Sequence, residues 1–208
     1  MEDVLDLYAE APDPKRPRVC FDEMPYQLLS HTRAPLPCAP DQPAREDYEY
    51  KREGTCNLFA FFSFEECWRH VEVTERRTAI DFAWQMKWLV DTKYPEADVI
   101  RVVLDNLNTH TLASLYLAFP AEEANRLKHK LELHYTPKHG SWLNMIELEF
   151  SVLSRQCLGQ RLESRERVAK EAAAWETARN EKGDTLRWLF STAQARTTLK
   201  HLYPALHA

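Results

Sequence analysis

The run Val-Ile-Arg-Val-Val-Leu at residues 99–104, followed directly by Asp105, decides the fold of this chain. Apolar residues fill all but one position of the run and most are β-branched, which is the pattern of a strand buried on both faces of a sheet. An acid placed immediately after such a strand lies beside apolar surface, where an ionised group needs a partner. The run therefore predicts a central strand with a functional carboxylate at its carboxyl end.

Weaker patterns on both sides of this strand complete an α/β sheet. Apolar or alternating runs predict strands at residues 18–21, 57–64, 68–75 and 131–135, and helical periodicity marks residues 77–93, 112–130 with a break at Pro120, and 142–158. This order is typical of a layered α/β domain with a mixed sheet. We expect a mixed five-stranded sheet flanked by helices, an arrangement that fits a ribonuclease-H-like fold without excluding other mixed α/β folds.

Two of the predicted helices indicate which side chains they bury. On the helix at residues 77–93, one apolar stripe holds Ile80, Trp84 and Trp88. On the helix at residues 142–158, apolar residues recur at spacings of three and four, and they are Leu143, Ile146, Phe150, Leu153 and Cys157. Ser141 is positioned to cap this second helix, and we expect Trp142 to anchor it in the core.

Composition divides the chain into three parts. Residues 1–17 are an acidic leader in which prolines end a short helix, and residues 18–160 hold the predicted sheet domain. Residues 161–208 form a C-terminal helical extension. Within the sheet domain, four prolines at residues 33–47 predict a long surface loop.

The formal net charge of −5 argues against a general nucleic-acid-binding surface, because phosphate binding normally leaves a basic footprint. The imbalance lies in the leader, where five acids precede the first basic residue: Glu2, Asp3, Asp6, Glu10 and Asp13. Without them, the 32 acidic residues fall to 27 and equal the 27 lysines and arginines. The body of the chain is therefore neutral.

Hydropathy and cysteine content indicate where in the cell the protein is located. No apolar run reaches the roughly 18 residues that would cross a bilayer, and the N-terminus lacks the pattern of a signal peptide. The five cysteines are odd in number and scattered, so we expect free, mostly buried thiols. These features predict a cytoplasmic protein without a membrane partner.

Carboxylates gather at one edge of the predicted sheet. Asp22 and Asp105 end strands, and Glu147 lies near the start of the helix that follows the last strand. Ligands of α/β sheets bind at strand ends, and acids gathered there repel one another unless cations such as Mg²⁺ or Mn²⁺ are present. Periodicity alone does not separate Glu147 from Glu149. It does not separate Asp22 from its neighbour Glu23 either.

Four motifs resemble the catalytic core of Tc/mariner-superfamily DDE transposases, especially their bacterial insertion-sequence relatives. They are Phe-Asp-Glu at residues 21–23, Tyr-Glu-Tyr-Lys-Arg-Glu-Gly-Thr-Cys-Asn at 48–57, Val-Leu-Asp-Asn-Leu-Asn-Thr-His at 103–110, and Tyr-Thr-Pro-Lys-His-Gly-Ser-Trp-Leu-Asn-Met-Ile-Glu at 135–147. The resemblance covers roughly residues 18–160 and implies a ribonuclease-H-like fold. The third acid is Glu, where mariner itself uses Asp.

The resemblance implies a catalytic triad that is also the metal-ligand set: Asp22, Asp105 and Glu147. Two Mg²⁺ or Mn²⁺ ions, both bound by Asp22, would activate the attacking oxygen and stabilise the leaving one during DNA strand cleavage and strand transfer. The resemblance also implies supporting roles near the triad for five residues: Glu23, Asn106, His110, Asn144 and Glu149. It implies that Lys138 and His139 bind DNA phosphates. Helix capping is an equal alternative for Asn106 and His110. A solvated turn is nearly as good an explanation for Lys138 and His139.

The resemblance also implies partners. They are transposon ends, a TA-containing DNA target, a second copy of the chain in a homodimer, and N-terminal helix-turn-helix domains. Because only 21 residues precede Asp22, we expect that last module to be absent or to be supplied by a separate subunit. Whether the chain is active alone stays open, and the complete triad favours a competent nuclease. Two alternatives stay open: an inactive remnant that serves as a dimerisation partner or inhibitor, and a ribonuclease-H-like nuclease.

Overall fold

A mixed sheet of five strands lies at the centre of the computed structural model, which describes residues 1–203. The strands are β1 (Arg18–His31), β2 (Tyr50–Ser63), β3 (Trp68–Thr74), β4 (Ile100–Leu104) and β5 (Leu131–Tyr135). Their spatial order is β3-β2-β1-β4-β5. The pairs β1–β2 and β2–β3 are antiparallel, whereas β1–β4 and β4–β5 are parallel. The mixed five-stranded sheet predicted from the sequence is confirmed.

Helices occupy the connections and the two ends of the chain. They are α1 (Glu2–Ala9), α2 (Ala79–Trp88), α3 (Ala113–Ala118), α4 (Ala121–Lys130), α5 (Ile146–Gln156), α6 (Arg165–Lys182) and α7 (Thr192–Thr198). A π-helical turn at Leu89–Lys93 continues α2, and 3₁₀ turns span Ser141–Leu143 and Lys200–Leu202.

Both faces of the sheet are covered, because successive strand residues point to opposite sides. On one face, Cys20 and Val103 belong to a core formed with α1, α5, α6 and α7. On the other face, Phe21, Val102 and Leu104 belong to a core formed with α2, α3 and α4. Removal of these two apolar surfaces from water is the main driving force for the layered fold.

The first strand extends well beyond its prediction. β1 has 14 residues, whereas the apolar pattern marks only residues 18–21. The second half of β1 contains Pro25 and several polar residues, so no alternation indicates a strand there. Its extended form comes from the partner strand, because β2 begins at Tyr50 and pairs with β1 as far as His31.

The apolar stripe predicted on α2 is wrong at two of its three positions, and only Trp88 packs against the core. Ile80 and Trp84 are 48% and 54% exposed, although they share the stripe that the sequence indicates. The buried stripe holds Phe82, Met86 and their neighbour Ala83 instead. Both stripes have helical spacing, and only the position of the helix on the sheet selects between them.

The helix after β5 begins later than predicted. Ser141 belongs to a 3₁₀ turn and does not cap α5, whose first residue is Ile146. The predicted apolar stripe is buried as expected, from Leu143 to Cys157. Trp142, expected in the core, is 45% exposed. The 3₁₀ turn is separated from α5 by the extended backbone of Asn144, so Trp142 does not lie on the helix whose stripe is buried.

The terminal segments pack against the sheet domain. In α1, Val4, Leu5 and Leu7 are buried and join the core that contains Cys20. At the other end, Val168 and Trp175 of α6 join the same core. Residues 204–208 of the predicted C-terminal extension lie outside the described residues.

Surface and thiol predictions are confirmed for the most part. Residues 33–47 are exposed almost throughout, as expected for a proline-rich loop. Cys20, Cys56 and Cys157 are buried and Cys38 is exposed, and all five cysteines are free. Among the helices in residues 1–203, none combines the length and the apolar content that a bilayer crossing requires.

Candidate active site

Asp22 and Asp105 lie on neighbouring strands at the same level of the sheet. Asp105 directly follows β4. Asp22 was predicted to end its strand, but it lies within β1, which continues to His31. β1 and β4 are parallel, and Cys20 pairs with Val103. Asp22 and Asp105 each follow that pair by two residues and therefore share its face of the sheet. Since neighbouring strands lie about 4.8 Å apart, the register alone brings the two carboxylates close together.

Asn144 attaches the start of α5 to the same edge. Its side chain is fully buried, and Nδ2 donates a hydrogen bond of 2.8 Å to the backbone oxygen of Phe21. That oxygen belongs to the peptide bond leading into Asp22. Glu147 lies in the first turn of α5, exposed to solvent, three residues after Asn144. One buried amide thus sets the position of the third acid relative to the first.

The electrostatics of Asp22 show that these acids interact. Burial raises the pKa of Asp22 to about 7, and the negative charges of Asp105, Glu23 and Glu147 add to that rise. A hydrogen bond of 2.8 Å from the backbone N–H of Glu23 opposes it. The carboxylate is therefore held where its ionised form is disfavoured in the absence of a cation.

His110 fixes the carboxylate of Asp105. The imidazole is buried, and Nδ1 lies 2.6 Å from Oδ1 of Asp105. This contact is the main reason that the pKa of Asp105 lies below its usual value. The backbone N–H of Leu107 donates to the same oxygen over 3.2 Å. One oxygen of Asp105 is thus engaged from within the protein.

Glu23 holds the other side of the His110 ring. Its Oε2 lies 2.7 Å from Nε2 of His110. Burial opposes protonation of the imidazole, but the contacts with Asp105 and Glu23 outweigh burial and raise the pKa of His110 to about 9. The ring is therefore protonated at neutral pH. Phe21 and Phe82 pack against it with ring centroids 5.4 and 5.0 Å away.

Glu149 points to the opposite side of α5 from Glu147. Its side chain is almost fully buried and forms ion pairs with Arg69 at 3.0 Å and Arg179 at 3.1 Å. Arg69 comes from β3 and Arg179 from α6. These two ion pairs join three elements on the buried side of the helix, and Glu149 does not join Asp22, Asp105 and Glu147.

A cleft beside Asp105 contains the predicted DNA contacts. It has a volume of about 410 Å³, and Asp105, Asn106, Lys138, His139 and Ser141 are among its lining residues. Asn106, Lys138 and His139 are exposed. The turn that carries Lys138 and His139 is tight, because a Cβ at Gly140 would lie 2.6 Å from Cγ of Pro137.

The donor set fits a hard divalent cation. Burial is the main cause of the raised pKa of Asp22, and the negative charges of Asp105 and Glu147 add to it. Carboxylate oxygens are the preferred ligands of Mg²⁺ and Mn²⁺. Within residues 1–203, no three acidic, histidine or cysteine side chains are already gathered at metal-binding distances. The fit therefore depends on the donor chemistry and on the repulsion that a cation relieves.

Residues 17–169 match the family model of the DDE superfamily endonucleases. The chain belongs to this family. The match contains Asp22, Asp105 and Glu147, and it confirms the predicted membership of the DDE enzymes. Among curated proteins, no relative matches the chain.

Solved structures of mariner Mos1 complexes share the fold. A Mos1 paired-end complex with Mn is 18% identical with a TM-score of 0.58, and the match covers 86% of this chain and 54% of that one. A pre-cleavage Mos1 transpososome is 18% identical with a TM-score of 0.57, and the match covers 86% of this chain and 55% of that one. A Mos1 strand transfer complex is 17% identical with a TM-score of 0.56, and the match covers 81% of this chain and 50% of that one.

These matches confirm the predicted ribonuclease-H-like fold and the likeness to Tc/mariner enzymes. This DDE-family chain spans about half the length of the solved relatives that it matches. Its assignment to the bacterial insertion-sequence branch stays a prediction.

Several side chains that shape the site carry no signal in the sequence. Arg77 lies 3.4 Å from Oε1 of Glu23, and the hydroxyl of Tyr135 donates to the backbone oxygen of His110 over 2.8 Å. Arg69 and Arg179 are both remote in sequence from Glu149. No local pattern links such residues, because only the fold brings them together.

Proposed function

We propose that this chain is the catalytic domain of a transposase that cleaves DNA strands and joins them to a target. The observation that supports the proposal is the parallel pairing of Cys20 with Val103, because Asp22 and Asp105 each follow that pair by two residues. In a DDE superfamily endonuclease, acids in this position are suited to phosphoryl transfer. We assign the catalytic and metal-binding roles to Asp22, Asp105 and Glu147.

Two divalent ions, Mg²⁺ or Mn²⁺, would supply activation of the attacking oxygen and stabilisation of the leaving oxygen when bound. Asp22 would be one of the ligands, because burial and the charges of the neighbouring acids disfavour its ionised form when no cation is bound. Asp105 offers the oxygen that His110 does not engage. Glu147 would contribute its carboxylate from the first turn of α5, whereas Asp22 and Asp105 come from the sheet.

His110, Glu23 and Asn144 act as positioning residues in this proposal. The buried imidazole holds Asp105 by one oxygen, and Glu23 keeps the imidazole protonated and oriented. Asn144 sets the distance between α5 and β1. Orientation of this kind contributes to rate because phosphoryl transfer depends chiefly on positioning and charge stabilisation.

DNA is the proposed substrate, as transposon ends and as a TA-containing target. Lys138 and His139 project into the cleft beside Asp105, where they would contact the phosphates that flank the scissile bond. A homodimer would hold two DNA ends at once, and helix-turn-helix domains on the same or another chain would select those ends. The neutral body of this chain is consistent with recognition by a separate module.

The test is nicking of supercoiled plasmid DNA by the purified chain. We expect nicking with Mg²⁺ or Mn²⁺ and none with a chelator. Asp105→Asn should abolish nicking while circular dichroism and thermal unfolding stay close to those of the wild type. Unchanged nicking by Asp105→Asn would refute the assignment. Preferential degradation of an RNA–DNA hybrid would favour a ribonuclease instead.

A further inference from the structure

Trp142 forms the outer member of an aromatic stack beside the candidate site. Its ring lies nearly parallel to that of Trp188, with centroids 6.3 Å apart and planes inclined by 18°. Phe190 contacts it edge-on at 5.8 Å. Trp188 in turn packs on the buried Tyr8. The stack therefore rests on the protein core, yet 45% of Trp142 remains exposed.

A small cavity lies against this indole. Its volume is about 210 Å³, and Lys138, His139, Trp142 and Leu143 are among its lining residues. This is less than the roughly 300–1,000 Å³ of sites for drug-sized ligands, and it suits a single planar ring system. The lining combines an aromatic surface with two exposed side chains that can contact an anion.

The cavity adjoins the cleft beside Asp105. Pro137, Lys138 and His139 line both spaces. A DNA strand whose phosphate lies at the carboxylates would thus have a neighbouring nucleotide within reach of Trp142. Aromatic side chains stack on any base, because every base has a π-face. Phosphate contacts from Lys138 would hold the strand between the two spaces.

We infer that Trp142 is a stacking platform for one unpaired nucleotide next to the scissile phosphate, with Lys138 contacting its phosphate. The inference rests on the proposed function. A base inside a duplex cannot reach the indole face, so the platform selects strands that are frayed, mismatched or single. It would keep such a strand in place while its phosphate lies at the acids.

The experiment measures binding of a 12-nucleotide single strand that contains one 2-aminopurine, in a chelating buffer that prevents cleavage. Fluorescence of this base reports its stacking, and the same strand in a full duplex is the comparison. Trp142→Leu keeps apolar packing without a π-face, Trp142→Phe keeps the π-face, and Trp142→Ala removes both. Trp84→Ala is the matched control, because Trp84 is also about half exposed and packs edge-on against Phe119.

We expect Trp142→Ala and Trp142→Leu to weaken single-strand binding about tenfold, which corresponds to the loss of one base stack. Trp142→Phe and Trp84→Ala should bind within about threefold of the wild type. Equal binding by Trp142→Leu and the wild type would overturn the platform, and so would equal affinity for strand and duplex. If plasmid nicking persists in that case, the proposed function stands without the platform. If the wild type neither nicks nor binds DNA, both proposals fall.

Discussion

His110 contacts Asp105 through Nδ1 and Oδ1 at 2.6 Å, from a fully buried position behind the strand end. The imidazole reaches Asp105 around the end of β4 and contacts Glu23 with its other nitrogen. Asp22 and Glu23 point to opposite faces of the sheet. The histidine therefore links the two faces and leaves one oxygen of Asp105 available at the cleft.

Replacement of His110 by Gln is expected to lower the nicking rate about 10- to 100-fold, as loss of a partner behind a metal ligand usually does. Half-maximal activity should also require more Mn²⁺, because the Asp105 carboxylate loses its fixed orientation. The matched control is His129→Gln, since His129 is exposed and contacts only the backbone oxygen of Asn125. Equal Mn²⁺ dependence in both variants would contradict the positioning role.

Glu147 and Glu149 form a natural pair for separating chemistry from stability. Glu147→Gln should leave the free energy of unfolding within about 0.5 kcal/mol of the wild type, because the residue is exposed, and should abolish nicking. Glu149→Gln should lower the free energy of unfolding by about 3 kcal/mol, because it leaves the buried guanidinium of Arg69 without its carboxylate and removes one partner of the partly buried Arg179. Urea unfolding and plasmid nicking measure both effects. If Glu147→Gln lost stability and Glu149→Gln lost nicking, Glu149 would be the catalytic acid and Glu147 the structural one.

Asn144→Ala tests the attachment of α5 to β1. Loss of the amide leaves the backbone oxygen of Phe21 without this bond, and the free energy of unfolding should fall by about 1–3 kcal/mol. Nicking should fall more than stability explains, since Glu147 loses its fixed distance from Asp22. Asn108→Ala is the control, because Asn108 is exposed. A stable variant with full activity would rule out this attachment as a requirement.

Asp22→Asn should stabilise the protein in a chelating buffer at alkaline pH. The pKa of Asp22 is raised from 3.8 to about 7, so the folded protein binds this proton more tightly than the unfolded chain. Stability is therefore lost as pH rises from about 4 to about 7, and Asn removes that loss. Thermal unfolding should show an advantage for the variant at pH 8 and little difference near pH 4. Added Mn²⁺ should raise the unfolding temperature of the wild type but not of Asp22→Asn.

The sequence pattern was sufficient to predict a strand or helix whose buried residues are all spaced regularly within that one element. The β-branched run before Asp105 is buried as predicted, and β5 has the predicted bounds, Leu131–Tyr135. The stripe from Leu143 to Cys157 is buried as well. These features follow from spacing along a single strand or helix, which the sequence displays directly.

The sequence pattern failed where two faces of the same helix could each be the buried one, because both have the same helical spacing. Ile80 and Phe82 lie on different stripes of α2, each with helical spacing, and only Phe82 is buried. Trp142 and Leu143 are neighbours, yet the 3₁₀ turn exposes the first and buries the second. Which face is buried depends on the partner surface, and that surface comes from other parts of the chain.

The sequence by itself determined the α/β class, the central strand and the acid that follows it, Asp105, because these depend on short-range periodicity and on motifs that match a family. Only the tertiary structure decided which neighbours of those acids meet. It paired Glu149 with Arg69, placed His110 between Asp105 and Glu23, and bonded Asn144 to Phe21. The physical reason is that strand register and helix packing set distances between residues that are far apart in the chain. No local pattern contains those distances.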